Sequence, residues 1–229
     1  MATKNVVITG TSRGIGFELA HLFAQAGHRV LALSRNAQRV ANLHMDNLES
    51  RAFDLRDMDT YNALVDEVRT DFGHVDILIH NAGALVNKPL AETTYEDYIK
   101  VYDVNVFGPA MLTKALRPLM NEKSHVVAIS SMGGIQGSSK FPGLSAYSSS
   151  KGAIITLMEL LAVEYADGGP RCNSLALGAV QTEMLAEAFP GYEAPVSPQD
   201  MAQYIMDFSL NGHKYMNGQF LSVASSNPE

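Results

Sequence analysis

Tyr147 and Lys151 stand four residues apart in the run Ala-Tyr-Ser-Ser-Ser-Lys, far downstream of a glycine-rich turn, Thr9-Gly10-Thr11-Ser12-Arg13-Gly14-Ile15-Gly16. On a helix, positions i and i+4 share a face, so the lysine ammonium is expected beside the tyrosine phenol. A nearby positive charge favours the phenolate and lowers a pKa that is otherwise about 10, which suits Tyr147 to acid or base work near neutral pH. The turn carries a second chemistry. A strand that ends at Thr9 and passes through three glycines into a helix offers free backbone N–H groups and a positive dipole end to a pyrophosphate. Its spacing, Gly-x3-Gly-x-Gly, departs from the usual Gly-x-Gly-x2-Gly dinucleotide pattern, so the turn alone is a weak mark.

Bringing these groups together requires a layered scaffold. Short apolar, β-branched runs alternate with longer helical patterns, the signature of βαβ units and of an α/β fold with a parallel sheet covered on both faces. Strands are expected near Asn5 to Thr9, Arg29 to Leu33, Ser50 to Phe53, Asp76 to His80, His125 to Ser130, Arg171 to Ala176 and Gln219 to Val223. Phe17 to Gln25 has helical periodicity, with Gly27 as its C-terminal cap. Two later segments, Ala153 to Val163 and Tyr98 to Met120, are more apolar than a one-sided surface helix needs, and Pro109 and Pro118 should kink or end turns in the second. Their extra apolar surface is hidden either by a two-fold pairing across a subunit interface or by a loop of the same chain.

The composition narrows the function classes. The length of 229 residues fits one α/β domain, and 46% apolar with 18% charged residues is the make-up of a globular chain. A formal charge of −7 argues against nucleic acid as a partner, because phosphate-backbone binding needs a basic face. The segment Met1-Ala-Thr-Lys-Asn leads into an apolar strand without a signal-peptide core, and no apolar run is long enough to span a bilayer. The lone Cys172 cannot form an internal disulfide, which is compatible with a reducing cytoplasm, the expected location. Seven scattered histidines lack metal-ligand spacing, so no metal is expected. Only the tail Ser225 to Glu229 suggests disorder by its composition.

Taken in chain order, the marks resemble the short-chain dehydrogenase/reductase family over roughly residues 4–184. Thr-Gly-x3-Gly-Ile-Gly matches residues 9–16, and Asp54-Leu55 follows the third strand, where the family uses an aspartate and the next backbone amide for the adenine ring. Asn81-Ala82-Gly83 ends the fourth strand and lines the cofactor; Asn105 lies in the next helix, Ser130-Ser131 ends the fifth strand, and Tyr147 and Lys151 follow. The resemblance implies a single-domain, Rossmann-like, doubly wound parallel sheet of about seven strands with helices on both faces. Residues 1–229 would form one NAD(P)-binding domain with a short substrate lid at about 183–200.

The same resemblance implies cofactor contacts from Gly10, Ser12, Arg13, Gly14, Ile15 and Gly16 in the turn, and from Tyr147 and Lys151. Past the sixth strand it adds Gly178, Val180 and Thr182, the last to the nicotinamide carboxamide. Ser34 stands where NAD-preferring relatives carry an aspartate that would repel a 2′-phosphate. Arg35 beside it offers a guanidinium fork for phosphate, and Arg13 adds a second cation. The expected cofactor is therefore NADP(H), with NAD(H) as the lesser option.

Carried over to matching positions, the family chemistry assigns proton donation at a carbonyl oxygen to Tyr147, and orientation of that oxygen to Ser131. Lys151 binds the nicotinamide ribose and keeps the tyrosine acidic, and Asn105 holds a water that links the lysine to solvent. Ser130 and Ser138 are lesser candidates for the serine, because Ser138 to Leu144 form a small insertion before Tyr147. The chain also departs from the pattern. The proline usual before Gly178 is Leu177, and the lid after Thr182 is short, leaving Met184, Leu185, Phe189 and Tyr192 either to cover the substrate or to pack on the domain's own edge. The Asp-Gly-Gly that commonly follows the last strand is missing, which favours a homodimer through helices near 98–120 and 148–165, with a tetramer second.

The expected activity is NADP(H)-dependent reduction of a ketone or aldehyde, or the reverse oxidation, on a small-molecule carbonyl or alcohol. The short lid favours an exposed site that accepts varied substrates. The alternative is a catalytically silent NADP(H)-binding sensor or interaction protein, whose mark would be loss of Tyr147 or Lys151. An extended-family epimerase would show a different glycine spacing, and an enoyl reductase would place the tyrosine and lysine farther apart.

Overall fold

The computed structural model describes residues 2–224, so the tail Ser225 to Glu229 lies outside the described residues. Seven strands among them form one parallel sheet: β1 (Asn5–Thr9), β2 (Arg29–Ser34), β3 (Leu48–Ala52), β4 (Ile77–His80), β5 (His125–Ser131), β6 (Arg171–Leu177) and β7 (Phe220–Val223). The helices are α1 (Gly14–Gln25), α2 (Gln38–Ala41), α3 (Tyr61–Glu67), α4 (Tyr95–Tyr102), α5 (Gly108–Leu116), α6 (Ser145–Glu164), α7 (Glu183–Ala188) and α8 (Pro198–Asn211). The sheet order is β3-β2-β1-β4-β5-β6-β7. The chain builds outward from β1 to β3, returns to β4 on the other side of β1, and builds outward again. The connections leaving β1 and β4 therefore diverge and open a crevice at the strands' carboxyl ends.

Alternate strand residues feed two cores. Val6, Ile8, Ile79, Val127 and Leu175 pack with Leu19 and Phe23 of α1 and with Met201, Ile205 and Phe208 of α8. Val7, Leu31, Leu78, Val126 and Ala128 face the other way, onto Leu64 of α3, Leu112 and Leu116 of α5, and Ile154 and Met158 of α6. This is the doubly wound arrangement expected from near-continuous apolar strands, which must be covered on both faces.

Three details matter for the site. Helix α1 begins at Gly14, earlier than its apolar periodicity suggests; Arg13 precedes it in extended conformation, and no side chain caps the free N–H groups of its first turn. Its other end is closed as expected: Gly27 adopts φ +83°, its N–H donates to Ala24 O and that of His28 to Phe23 O, a Schellman motif. The apolar stretch 98–120 is interrupted, with a π turn (Asp103–Phe107) between α4 and α5 and a 3-10 turn (Arg117–Leu119) after α5. Pro109 sits at the start of α5. It has no N–H to donate, so an α-helical bond to the Asn105 carbonyl cannot form.

Helix α8 has no counterpart among the elements expected from the sequence, although its signals are there. Ser197 caps it by accepting from Asp200 N, Pro198 follows, and Met201, Ile205 and Phe208 repeat at helical spacing. Helix α6 buries Ile154, Met158 and Leu161 on the sheet but leaves Leu160 58% and Val163 74% exposed, so no loop among the described residues covers that face.

Candidate active site

The glycine turn is locked from behind by Asn81 at the end of β4. Its side-chain amide donates to Thr9 O and Gly10 O, both at 3.1 Å, while Thr9 Oγ1 accepts from the N–H groups of Asn81 and Ala82. The turn and this strand end approach so closely that side chains are excluded. A Cβ at Gly10 would lie 2.5 Å from Ala82 Cα, and one at Gly16 would lie 2.2 Å from Gly10 O. The first turn of α1 thus opens, uncapped, onto a cavity of about 1100 Å³.

That cavity collects the residues expected from the sequence. Its wall includes Gly10, Ser12, Arg13, Gly14 and Ile15 of the turn, Ser34 and Arg35 after β2, and Asp54 and Leu55 after β3. It continues past Asn81, Ala82 and Gly83 to Ser131, Tyr147 and Lys151, and is closed by Gly178, Val180 and Thr182. Gly16 and Asn105 lie just behind this wall. Gly16 packs on the turn itself, and Asn105 Oδ1 would be 3.8 Å from a Cβ at Gly83. A crevice holding an uncapped helix start, glycines and two arginines at one end and titratable side chains at the other fits an extended dinucleotide.

At the chemical end, the Tyr147 hydroxyl lies beside Ser131, whose side chain interacts with it. Ser131 also accepts from Gly133 N at 3.3 Å. The two other serines are engaged elsewhere: Ser130 Oγ is buried and donates to Lys151 O, and Ser138 Oγ donates to the carbonyls of Met132 and Ile135 in the following loop. Lys151 is buried on α6; its Nζ lies 5.6 Å from the Tyr147 ring centre and donates to Ile129 O at 2.8 Å. Burial pushes its pKa down to about 8.

Tyr147 departs from expectation. Burial raises its pKa, and only the hydrogen bond with Ser131 pulls in the opposite direction. Desolvation of the phenolate outweighs the neighbouring cation, so the resting phenol is held protonated. Asn105 also differs. Its side chain exchanges two hydrogen bonds with the backbone of Ala84, at 2.8 and 3.0 Å, and donates to Ser150 Oγ, so it is a fully engaged clamp.

Other expected residues are present but already partnered. The Asp54 carboxylate accepts a two-pronged bond from Arg56, which lowers its pKa, so an adenine amine would share it with that guanidinium. Thr182 Oγ1 caps α7 by accepting from Leu185 N. Ser34 Oγ donates to Asn36 O, while Arg35 is exposed at the cavity edge. Arg13 meets both carboxylate oxygens of Glu187 on the lid, one of them at 2.9 Å. Arg39 meets Glu183 at 3.4 Å. These two glutamates were missed in the sequence, although their i, i+4 spacing places them on one helix face. Asn87 and Phe141 were missed as well. Asn87 Nδ2 donates to Ala188 O, and the Phe141 and Phe189 rings meet edge-on at 6.4 Å. Met184, Leu185, Phe189 and Tyr192 line the cavity.

Three histidines outside the cavity wall are buried, His28, His80 and His125. His80 shares a 2.7 Å hydrogen bond with Thr113 Oγ1, and His125 contacts Ser209 O and Asn173. Burial lowers their pKa values to about 3 and about 4, which keeps both neutral. Among the described residues, no group of three His, Cys, Asp or Glu side chains could hold a metal, and no helix is long and apolar enough to cross a membrane.

Known proteins share this arrangement. The family model for short chain dehydrogenase matches residues 4–193. Dehydrogenase/reductase SDR family member 7B of Mus musculus is 35% identical over 195 residues, covering 80% of this chain and 59% of the relative, so the chain spans about three fifths of that protein's length. An uncharacterized oxidoreductase of Staphylococcus aureus is 27% identical, with 97% of each chain covered. Among solved structures, ElxO with bound NADP superposes with a TM-score of 0.84 at 27% identity, covering 97% of this chain and 98% of that one. The 3-ketoacyl-(acyl-carrier-protein) reductase of Brucella melitensis complexed with NADH gives 0.87 at 25% identity, with 98% of each chain covered. With the family model matched over residues 4–193, the chain belongs to the short-chain dehydrogenase family of oxidoreductases.

Proposed function

We propose that the protein is an NADP(H)-dependent carbonyl reductase, or the corresponding alcohol dehydrogenase, whose proton donor is Tyr147. The observation that carries this reading is the Tyr147 side chain, half-buried beside Ser131 and Lys151 and opening on the same cavity as the glycine turn. Reduced nicotinamide, when bound, supplies the hydride. The protein's own groups handle the oxygen: Ser131 donates to it and orients it, and Tyr147 delivers a proton as negative charge develops there. Burial keeps Tyr147 in the protonated form that reduction consumes. As that proton leaves, the Lys151 ammonium beside the ring stabilises the phenolate. Lys151 would also hold the nicotinamide ribose. The Asn105 clamp fixes the Gly83–Ala84 segment at the cavity wall.

The preference for a 2′-phosphate rests on Arg35 and Arg13, with no acidic residue at position 34. The silent-binder alternative is not favoured, because the serine, tyrosine and lysine are all present and in register. The exposed Phe107, Met111, Leu160 and Val163 on α5, α6 and the turn before α5 are read as the seam of a homodimer.

The test is a fluorescence titration with NADPH and NADH, followed by turnover. NADPH should bind more tightly, and Arg35→Ala should remove most of the difference; equal affinities in the wild type would refute the cofactor assignment. Tyr147→Phe should lower kcat by about 10² to 10⁴, the usual share of a positioned acid, with NADPH affinity nearly unchanged.

A further inference from the structure

We propose that the substrate end of the cavity selects compact, uncharged, apolar carbonyl compounds, with an aryl or alkyl group packed against the Phe141–Phe189 ring pair. This rests on the reductase reading above and names its substrate class.

Around the Ser131–Tyr147 pair, three segments supply the wall: the stretch after β4 with Leu85, the β5–α6 connection with Met132 and, on its insertion, Phe141 and Leu144, and the lid with Met184 and Phe189. The only close ring pair on this wall is Phe141 with Phe189, two partly exposed side chains from segments 48 residues apart, meeting at 6.4 Å among the described residues. Asn87 ties the three segments into one rim. Its Nδ2 donates to Ala188 O on the lid, and a Cβ at Gly143 would lie 2.2 Å from its Oδ1. The backbone completes the tie, as Lys88 N donates to Gly143 O at 3.0 Å. Asn87 is therefore occupied in holding the rim and is a poor anchor for a polar substrate.

The charged residues on the cavity wall other than Lys100 and Arg35 are paired with other groups. Glu187 faces Arg13, Glu183 faces Arg39, and Asp54 faces Arg56. Lys151 donates to Ile129 O, and Arg35 follows β2 at the exposed edge of the cavity. Lys100 lies on α4, whose continuation packs on Leu55, next to Asp54, where a Cβ at Gly108 would meet Leu55 Cβ at 2.7 Å. Lys140, on the insertion itself, donates to Ile135 O and Ser138. A carboxylate or a polyhydroxylated chain at this end would lose water without gaining a charged or multiply hydrogen-bonding partner. An apolar substituent would gain the burial of its surface against leucine, methionine and phenylalanine.

The experiment compares kcat/KM with NADPH for acetophenone, heptan-2-one, 2-oxoheptanoate and fructose. The matched seven-carbon pair share the alkyl chain and differ in a methyl against a carboxylate, so they should differ by at least about tenfold in favour of heptan-2-one, the cost of desolvating a carboxylate that finds no partner. Phe189→Ala and Phe141→Ala should each raise the KM for acetophenone about tenfold and narrow its advantage over butan-2-one. Calorimetry with benzamide, which is not reduced, should show binding weakened to the same degree in both variants, a readout independent of turnover. Preference for 2-oxoheptanoate or fructose, or unchanged benzamide binding in both variants, overturns the proposal while leaving the reductase reading in place. Absence of turnover with every carbonyl refutes the reductase reading and this proposal with it.

Discussion

Replacing Gly16 with alanine tests the packing that shapes the cofactor end. The added Cβ would sit 2.2 Å from Gly10 O and 2.3 Å from Asn81 Nδ2, and each of these must retreat by about 1 Å to restore contact distance. The Asn81 amide cannot retreat without losing its bonds to Thr9 O and Gly10 O. Two hydrogen bonds at about 1 kcal/mol each, with about 1–3 kcal/mol of overpacking, give a loss of roughly 3–5 kcal/mol. For a chain of this length that is a drop in Tm of about 10 °C. Because the same movement displaces the carbonyls and N–H groups of the turn, the NADPH dissociation constant should rise at least tenfold. Gly83→Ala is the control. Its Cβ would lie in ordinary contact, 3.7 Å from Lys151 Nζ and 3.8 Å from Asn105 Oδ1, so Tm should move by less than about 2 °C while turnover suffers. Thermal unfolding and NADPH fluorescence read both effects. A Gly16→Ala protein with unchanged Tm and unchanged cofactor affinity would refute the argument.

Three further outcomes are expected. Glu187→Gln frees the Arg13 fork from its carboxylate partner, so NADPH affinity should rise severalfold with NADH affinity unchanged; equal responses of the two cofactors would show that Arg13 does not meet the 2′-phosphate. Buried His80 and His125 titrate at about 3 and about 4 in the fold and near 6.5 when unfolded, so the unfolded chain takes up their protons first and stability falls as pH drops below about 6.5. At pH 5 the two together should cost about 4 kcal/mol relative to pH 7, measured by urea unfolding, and His80→Asn should remove about half of that slope. Val163→Glu places a charge on the exposed apolar face of α6 and should convert a dimer to a monomer in light scattering; a wild-type chain that is already monomeric would refute the seam.

All seven strands were legible within two residues at each end, because the central ones are apolar runs that must be buried between two helical layers, whatever their partners. The glycine turn, the Asn81 segment and Tyr147-x3-Lys151 were legible too, since a close backbone approach or an i, i+4 face constrains residue type locally. Helix α8 was readable in principle from its Ser197-Pro198-x-Asp200 start, but its short amphipathic pattern carries no chemistry and gains meaning only when packed on α1.

What the tertiary structure alone decided involves groups far apart in the chain or the balance of opposing effects. The Arg13–Glu187 pair joins residues 174 apart, and Phe141 meets Phe189 only because the lid folds over the insertion. The direction of the Tyr147 shift depended on how deeply α6 sinks into the cleft, since spacing reveals a neighbouring charge but not the water that burial removes. Local sequence thus determined which groups are available and how the backbone must turn to present them. The protonation state of the tyrosine and the partners of the arginines came from long-range packing, which sets desolvation and proximity together.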